Sequence, residues 1–151
     1  MKWASSEKFG SVVLKISGRL EQELRAHIKL LTSPHRSIIP LLDYFIDNRG
    51  RQVLVFPAYP GELPSYKSLP LASIVCALKL LLEGLHLVHQ LRIIHTDINP
   101  TNLMWDPFSS QLVIADFGLA IVEDLPACVG GTDGMTPNLI QLLKICRIQS
   151  T

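Results

Sequence analysis

Between Ile93 and Ala120 the chain reads IIHTDINPTNLMWDPFSSQLVIADFGLA, a stretch that sets Asp97, Asn102 and Asp116 among apolar runs. A carboxylate beside a strand end can orient an attacking hydroxyl and accept its proton. An amide oxygen and a second carboxylate suit a hard divalent cation such as Mg²⁺. That cation would neutralise phosphate oxygens, and phosphoryl transfer draws most of its catalysis from positioning and charge stabilisation. Out of context Asp97 and Asn102 have a plainer use, because Asp and Asn side chains cap and turn loops by bonding nearby backbone.

The elements that must carry these groups are legible from local pattern. The β-branched run SVVLKIS, Ser11 to Ser17, predicts a strand with Lys15 near its end. From Arg19 to Leu31 the residues Leu20, Leu24, Ile28 and Leu31 keep the spacing of one helical face, and Pro34 stops the pattern. IIPLLDYFI and RQVLVFPAY flank Asp47-Asn48-Arg49-Gly50, which predicts two strands and a tight turn. Pro57, Pro60 and Gly61 then mark a hinge. Leu71 to Val88 holds helical spacing over several turns and reads as a buried helix. QLVIADFG predicts a further strand after the turn-forming DPFSS, GGTDGMTPN (130–138) a loop, and LIQLLKICRI (139–148) a short apolar-periodic segment.

The bulk numbers bound the answer. A chain of 151 residues, 48% apolar and 18% charged with positive mean hydropathy, is long enough for one domain with a real core. A net charge of +1 gives no broad basic field, so neither nucleic acid nor an anionic membrane is indicated as a partner. Lys79, Glu83, His86, His89 and Arg92 interrupt the greasiest stretch at intervals that a bilayer core disfavours, and MKWASSEKFG has no apolar core of a secretory signal. Cys76, Cys128 and Cys146 are odd in number and lack ligand spacing, which points to a reducing, intracellular setting in cytoplasm or nucleus.

His95-Thr96-Asp97 resembles the His-Arg-Asp catalytic loop of the protein kinase family, with Asn102 five residues after the aspartate, where the family places its metal-binding Asn. Asp116-Phe117-Gly118 resembles the family's Asp-Phe-Gly, and VVLKI is similar to its Val-Ala-Ile-Lys strand. SPHRSIIPLLDYF is similar to HPNIVxLLDxF, and GGTDGMTPN to GTxGYMAPE. The resemblance implies an α+β fold, protein kinase-like, with a partial small sheet lobe and an incomplete helical lobe. Its bounds would be 1–59 for the first lobe, 60–138 for the second with the catalytic loop and activation segment, and 139–151 for a short tail.

The same resemblance implies ATP and Mg²⁺ as cofactors and the serine/threonine type of reaction on a protein substrate. Asp97 would be the catalytic base, Asn102 and Asp116 the Mg²⁺ ligands, and Lys15 the partner of the nucleotide's α and β phosphates. Glu23 would pair with that lysine, with Glu21 close by as the alternative. Phe56 would be the gatekeeper, the Pro57 carbonyl would accept the adenine amino hydrogen, and the Tyr59 N–H would donate to the ring.

Departures from the pattern carry their own implications. Thr96, at the family's arginine, is a form similar to the SR-protein kinases and removes the cation that would grip a phosphorylated loop. Asn99 replaces the lysine facing the γ-phosphate, so a donor remains at this catalytic position without its charge. Asn138 stands where Ala-Pro-Glu ends. Only Gly10 precedes Lys15 as a glycine, so the phosphate-covering glycine loop and the first strand are expected to be missing. A lobe short of its helices would leave apolar faces bare and call for a protein partner over them. Two other functions stay open: a catalytically impaired binding module, and a small-molecule phosphotransferase of the aminoglycoside-kinase type.

Overall fold

A computed structural model describes residues 1–17, 20–59, 69–106 and 108–123; Pro60, Gly61, the 130–138 loop and the 139–148 segment lie outside the described residues. Strands β1 (Lys2–Ser6) and β2 (Gly10–Ser17) form a hairpin, with Lys2 opposite Leu14 and Ser6 opposite Gly10. Gly10 has φ +70°, a left-handed conformation that glycine adopts without steric cost. Trp3 lies in β1 and Phe9 in the hairpin turn. Helix α1 (Glu21–Leu31) follows, and then β3 (Asp43–Ile46) and β4 (Gln52–Pro57) complete a four-stranded antiparallel sheet in the order β1-β2-β4-β3. The Asp47–Gly50 turn forms as its sequence predicts: Gly50 has φ +72°, and Asp47 Oδ1 accepts the Arg49 and Arg51 N–H groups at 2.9 Å each.

The helical half begins with α2 (Leu71–Gln90), followed by β5 (Ile93–Ile94), a 3-10 turn at Pro100–Asn102, the hairpin of β6 (Leu103–Asp106) with β7 (Gln111–Ile114), and β8 (Ile121–Val122), which pairs with β5. One buried core runs through both halves, from Leu24, Leu30, Leu54 and Phe56 to Val88, Ile93, Val113 and Phe117.

Three readings of local pattern are corrected. The IIPLLDYFI run is a strand only from Asp43; Ile39 N–H instead donates to Ile114 O at 2.9 Å and Ile114 N–H to Ser37 O at 2.8 Å, stitching the two halves together. Pro40, which has no N–H to give a sheet, sits just after this stitch. On α1 the buried face is Glu23, Leu24, Ala26, His27 and Leu30, so it is rotated from the Leu20-Leu24-Ile28-Leu31 stripe toward two polar residues.

The third correction concerns α2, which is not a buried helix. Among its described residues only Ala77, Gly84 and Val88 are buried, while Leu71, Val75, Leu78 and Leu82 are 46–76% exposed. These four recur every three or four residues and form one bare stripe. By length and apolar composition alone this helix is the one among the described residues that could cross a membrane. Its inner face, however, packs on the core through Leu81, Leu85 and Val88.

Candidate active site

Lys15 is the centre of the site. Its strand, β2, lies between β1 and β4, with Lys15 opposite Leu54. The ammonium lies 2.6 Å from Glu23 Oε2 and 2.7 Å from Asp116 Oδ1, joining a strand, a helix and the loop after β7 at one point. Burial pushes the Lys15 ammonium toward a lower pKa, but the two carboxylates outweigh it and hold the pKa above its ordinary value. The carboxylates differ because their surroundings differ. Burial pushes Glu23, 1% exposed, above the usual carboxylate range, and Lys15 pulls it back only in part. Burial also pushes Asp116 upward, but at 35% exposure the Lys15 hydrogen bond and charge, with the Gly118 N–H, prevail and hold it low.

Asp116, two residues past the end of β7, has φ +59°, and its carboxylate turns back over Gly118, whose N–H donates to Oδ1 at 3.1 Å. A Cβ on Gly118 would stand 3.0 Å from that oxygen and 3.1 Å from Lys15 Nζ. A methyl group here would have to push those two side-chain ends aside. A cleft of about 640 Å³ opens beside the triad, lined among others by Lys15, Glu23, Asp116, Gly118 and Leu119.

The loop after β5 is held by its own side chains. His95, 2% exposed, shares a 2.9 Å hydrogen bond between Nε2 and Ala115 O, while Nδ1 accepts the Asp97 N–H at 3.3 Å; this pair of bonds places the ring proton on Nε2. Both carboxylate oxygens of Asp97 accept amide hydrogens at 2.8 Å, Oδ1 from Asn99 Nδ2 and Oδ2 from Asn102 Nδ2. Asn99 also caps the 3-10 turn by accepting the Thr101 N–H at 2.8 Å. Asn102 is buried, and its backbone O accepts the Ala115 N–H at 2.9 Å, which sets it one residue from Asp116. Because Asn102 donates from Nδ2 to Asp97 and Asp116 receives Lys15 on Oδ1, Asn102 Oδ1 and Asp116 Oδ2 remain as hard oxygen donors. An amide oxygen and a carboxylate oxygen fit Mg²⁺, which fills its other positions with water and substrate phosphates.

Behind the site a column of rings fixes the Asp-Phe-Gly turn. Phe117 is fully buried, with ring centroids 4.6 Å from His95 and 5.2 Å from His27; His27 in turn lies 5.0 Å from Phe56. Burial, with nearby Lys15 adding to it, drives the His27 pKa down to about 3, and its Nε2 has no hydrogen-bond partner. Phe56, on β4 opposite Val13, is buried; Pro57 ends that strand, and the Ala58 N–H bonds Ser11 O at 3.1 Å. Tyr59 packs half-buried on the core, and burial, with Asp106 adding to it, raises its phenol pKa.

The structure thus brings Lys15, Glu23 and Asp116 together, and separately Asp97, Asn99 and Asn102; the Ala115–Asn102 bond links the two groups. Phe56, Pro57 and Tyr59 line neither the triad nor its cleft, and Glu21 reaches the cleft wall without meeting Lys15. His27 and Gly118 were legible by position, one a helical turn after Glu23 on the same face and the other closing the Asp-Phe-Gly motif, but neither was among the predicted site residues.

This arrangement is that of the protein kinase fold, and residues 8–142 match the protein kinase domain family. The chain belongs to the protein kinase family. It is 34% identical over 111 residues to a probable cyclin-dependent serine/threonine-protein kinase of Dictyostelium discoideum, a match covering 70% of this chain and 8% of that protein. It is 31% identical over 108 residues to Aurora kinase C of Mus musculus, covering 68% of this chain and 37% of the relative. Among solved structures it is similar to the Cydia pomonella granulovirus kinase PK-1, with a TM-score of 0.62, 25% identity, and coverage of 78% of this chain and 45% of the other. The match thus covers less than half the length of each of these three relatives.

Proposed function

We propose that this chain binds Mg²⁺-ATP between its two halves, the phosphates at the triad and the adenine toward Phe56 to Tyr59, and that the site serves transfer of the γ-phosphate to a serine or threonine hydroxyl of a protein. The observation that carries the reading is the Lys15 ammonium held at 2.6 Å from Glu23 and 2.7 Å from Asp116. Lys15 takes the α and β phosphates, and Glu23 keeps it aimed. Asp97, oriented by Asn99 and Asn102, accepts the proton of the attacking hydroxyl. Asn102 Oδ1 and the Asp116 carboxylate hold Mg²⁺, which when bound neutralises the charge of the phosphate oxygens. Phe56 closes the back of the adenine site, the Pro57 carbonyl accepts the adenine amino hydrogen and the Tyr59 N–H donates to the ring.

Two variants of the whole chain test this. Lys15→Met is expected to weaken Mg²⁺-ATP binding at least tenfold, about 1.4 kcal/mol. Asp97→Asn is expected to retain binding and abolish labelling of a basic protein substrate by γ-labelled ATP. Labelling of an aminoglycoside in preference to the protein would overturn the protein-kinase reading. Absence of any Mg²⁺-dependent nucleotide shift in the unaltered chain would overturn the site.

A second reading, a nucleotide-binding module without turnover, is favoured by Asn99. It stands in place of a lysine, without the positive charge, and its amide donates to Asp97 Oδ1 at 2.8 Å. Nucleotide-dependent stabilisation with no label transfer, restored by Asn99→Lys, would support it.

A further inference from the structure

Beyond Gly118 the chain passes through Leu119 into β8, and two side chains from opposite sides hold this strip. Lys29, in the last turn of α1, donates from Nζ to Glu123 O at 2.6 Å, and a longer bond of 3.5 Å runs to Leu91 O. Thr96, in the loop after β5, donates from Oγ1 to Leu119 O at 2.8 Å. The β5–β8 pairing, the Glu123 N–H to Arg92 O bond of 3.0 Å, a 3.6 Å Arg92–Glu123 ion pair and the packing of Ala120 and Val122 on the core also hold the strip.

Thr96 has φ +67°, a region that a β-branched residue avoids unless its surroundings impose it. Asp97 follows directly, so the torsion that seats Thr96 on Leu119 O also aims the carboxylate. Lys29 stands on the helix that carries Glu23, nearly two turns away. A tether at that end fixes α1 against the strip that begins at Asp116.

We propose that Lys29 and Thr96 are positioning residues that clamp Leu119–Glu123 to helix α1 and to the Asp97 loop, keeping Glu23, Lys15 and Asp116 aligned without a phosphate group on the chain. Both acceptors are backbone carbonyls, which phosphorylation neither creates nor removes. A phosphate-read switch needs an unengaged cation facing the segment; Thr96 offers a neutral hydroxyl there, while Lys29 is held by backbone carbonyls and Arg92 by the Glu123 carboxylate. The clamp rests on the nucleotide-site reading only where nucleotide affinity is its readout.

The test uses the full chain with Lys29→Met, Thr96→Val and the conservative Thr96→Ser, each followed by amide hydrogen exchange over Ala120–Glu123 and by Mg²⁺-ADP affinity, before and after treatment with a broad phosphatase. Lys29→Met and Thr96→Val are each expected to speed exchange at these amides by on the order of 5–30-fold, the factor that a loss of about 1–2 kcal/mol produces. They are also expected to weaken ADP binding, and to lower the nucleotide-free unfolding midpoint by no more than the few degrees to which the same loss corresponds. Thr96→Ser should behave as the unaltered chain, and phosphatase should change nothing. Unchanged exchange in both Lys29→Met and Thr96→Val, or phosphatase raising exchange of the unaltered chain to the variants' level, would overturn the clamp. If the unaltered chain binds no nucleotide, the site reading fails while the exchange measurements still decide the clamp.

Discussion

Gly118 and His27 show how single side chains set this site. A methyl group on Gly118 meets the ends of Asp116 and Lys15 at 3.0 and 3.1 Å, and both are flexible enough to step aside. Gly118→Ala is thus expected to cost little in folding, under about 1 kcal/mol, while separating Lys15 from Asp116 and weakening Mg²⁺-ATP binding severalfold. Thermal unfolding with and without nucleotide reads both numbers from one sample. His27 is the converse case, a fully buried imidazole whose Nε2 lacks a partner. An unsatisfied buried polar group costs about 1–3 kcal/mol, so His27→Leu, which fills similar space between Phe56 and Phe117, is expected to raise unfolding free energy by about 1 kcal/mol. A denaturant midpoint that falls instead would show that the imidazole makes a contact worth more than the orphan nitrogen costs.

At the scale of elements, α2 has two faces with opposite sensitivity. Val88 is fully buried, and burying a valine is worth about 1.5–3 kcal/mol, so Val88→Ala is expected to forfeit a large part of that. Leu78 and Leu82 lie on the bare stripe, 46% and 64% exposed. Leu78→Lys with Leu82→Lys is expected to change unfolding free energy by less than about 0.5 kcal/mol and to reduce self-association measured by sedimentation, since an exposed apolar stripe promotes it. The elements also show why the readable pattern misled locally. Apolar spacing alone put α1's inner face on Ile28 and Leu31, whereas the ion pair to Lys15 rotates Glu23 and His27 inward. QLVIADFG looked like one strand, but β7 ends at Ile114, two residues before the left-handed Asp116.

For the molecule as a whole, the buried ionisable groups set the response to acid. His27 titrates at about 3 in the fold against about 6.5 when exposed, so its contribution is fully present above pH 6.5 and is lost as pH falls from 6.5 toward 3. The limiting slope is about 1.4 kcal/mol per pH unit. Asp116, held low by Lys15, acts in the same direction, its stabilisation being lost as pH falls through its folded value. Glu23, raised by burial, has the opposite sign: the fold binds its proton more readily, which partly offsets the loss near the carboxylate range. Unfolding free energy of the unaltered chain is therefore expected to decline between pH 6.5 and 5, and that of His27→Leu to stay flat there. A parallel decline in both would remove His27 as the cause.

What the sequence determined by itself was chemical identity and order: Lys15, Asp97, Asn102 and Asp116 at family spacing, Gly50 in a turn, and the strands and helices that carry them. These follow from local rules, since period and turn chemistry are written within a few residues. Tertiary structure alone decided that α1 turns Glu23 and His27 inward rather than Ile28 and Leu31, that His27 lies in the ring column, and that Leu71, Val75, Leu78 and Leu82 form the bare stripe of α2. Each of those depends on which residues distant in the chain arrive at the same point, and the local pattern of a helix does not fix its rotation against a partner that a distant segment supplies.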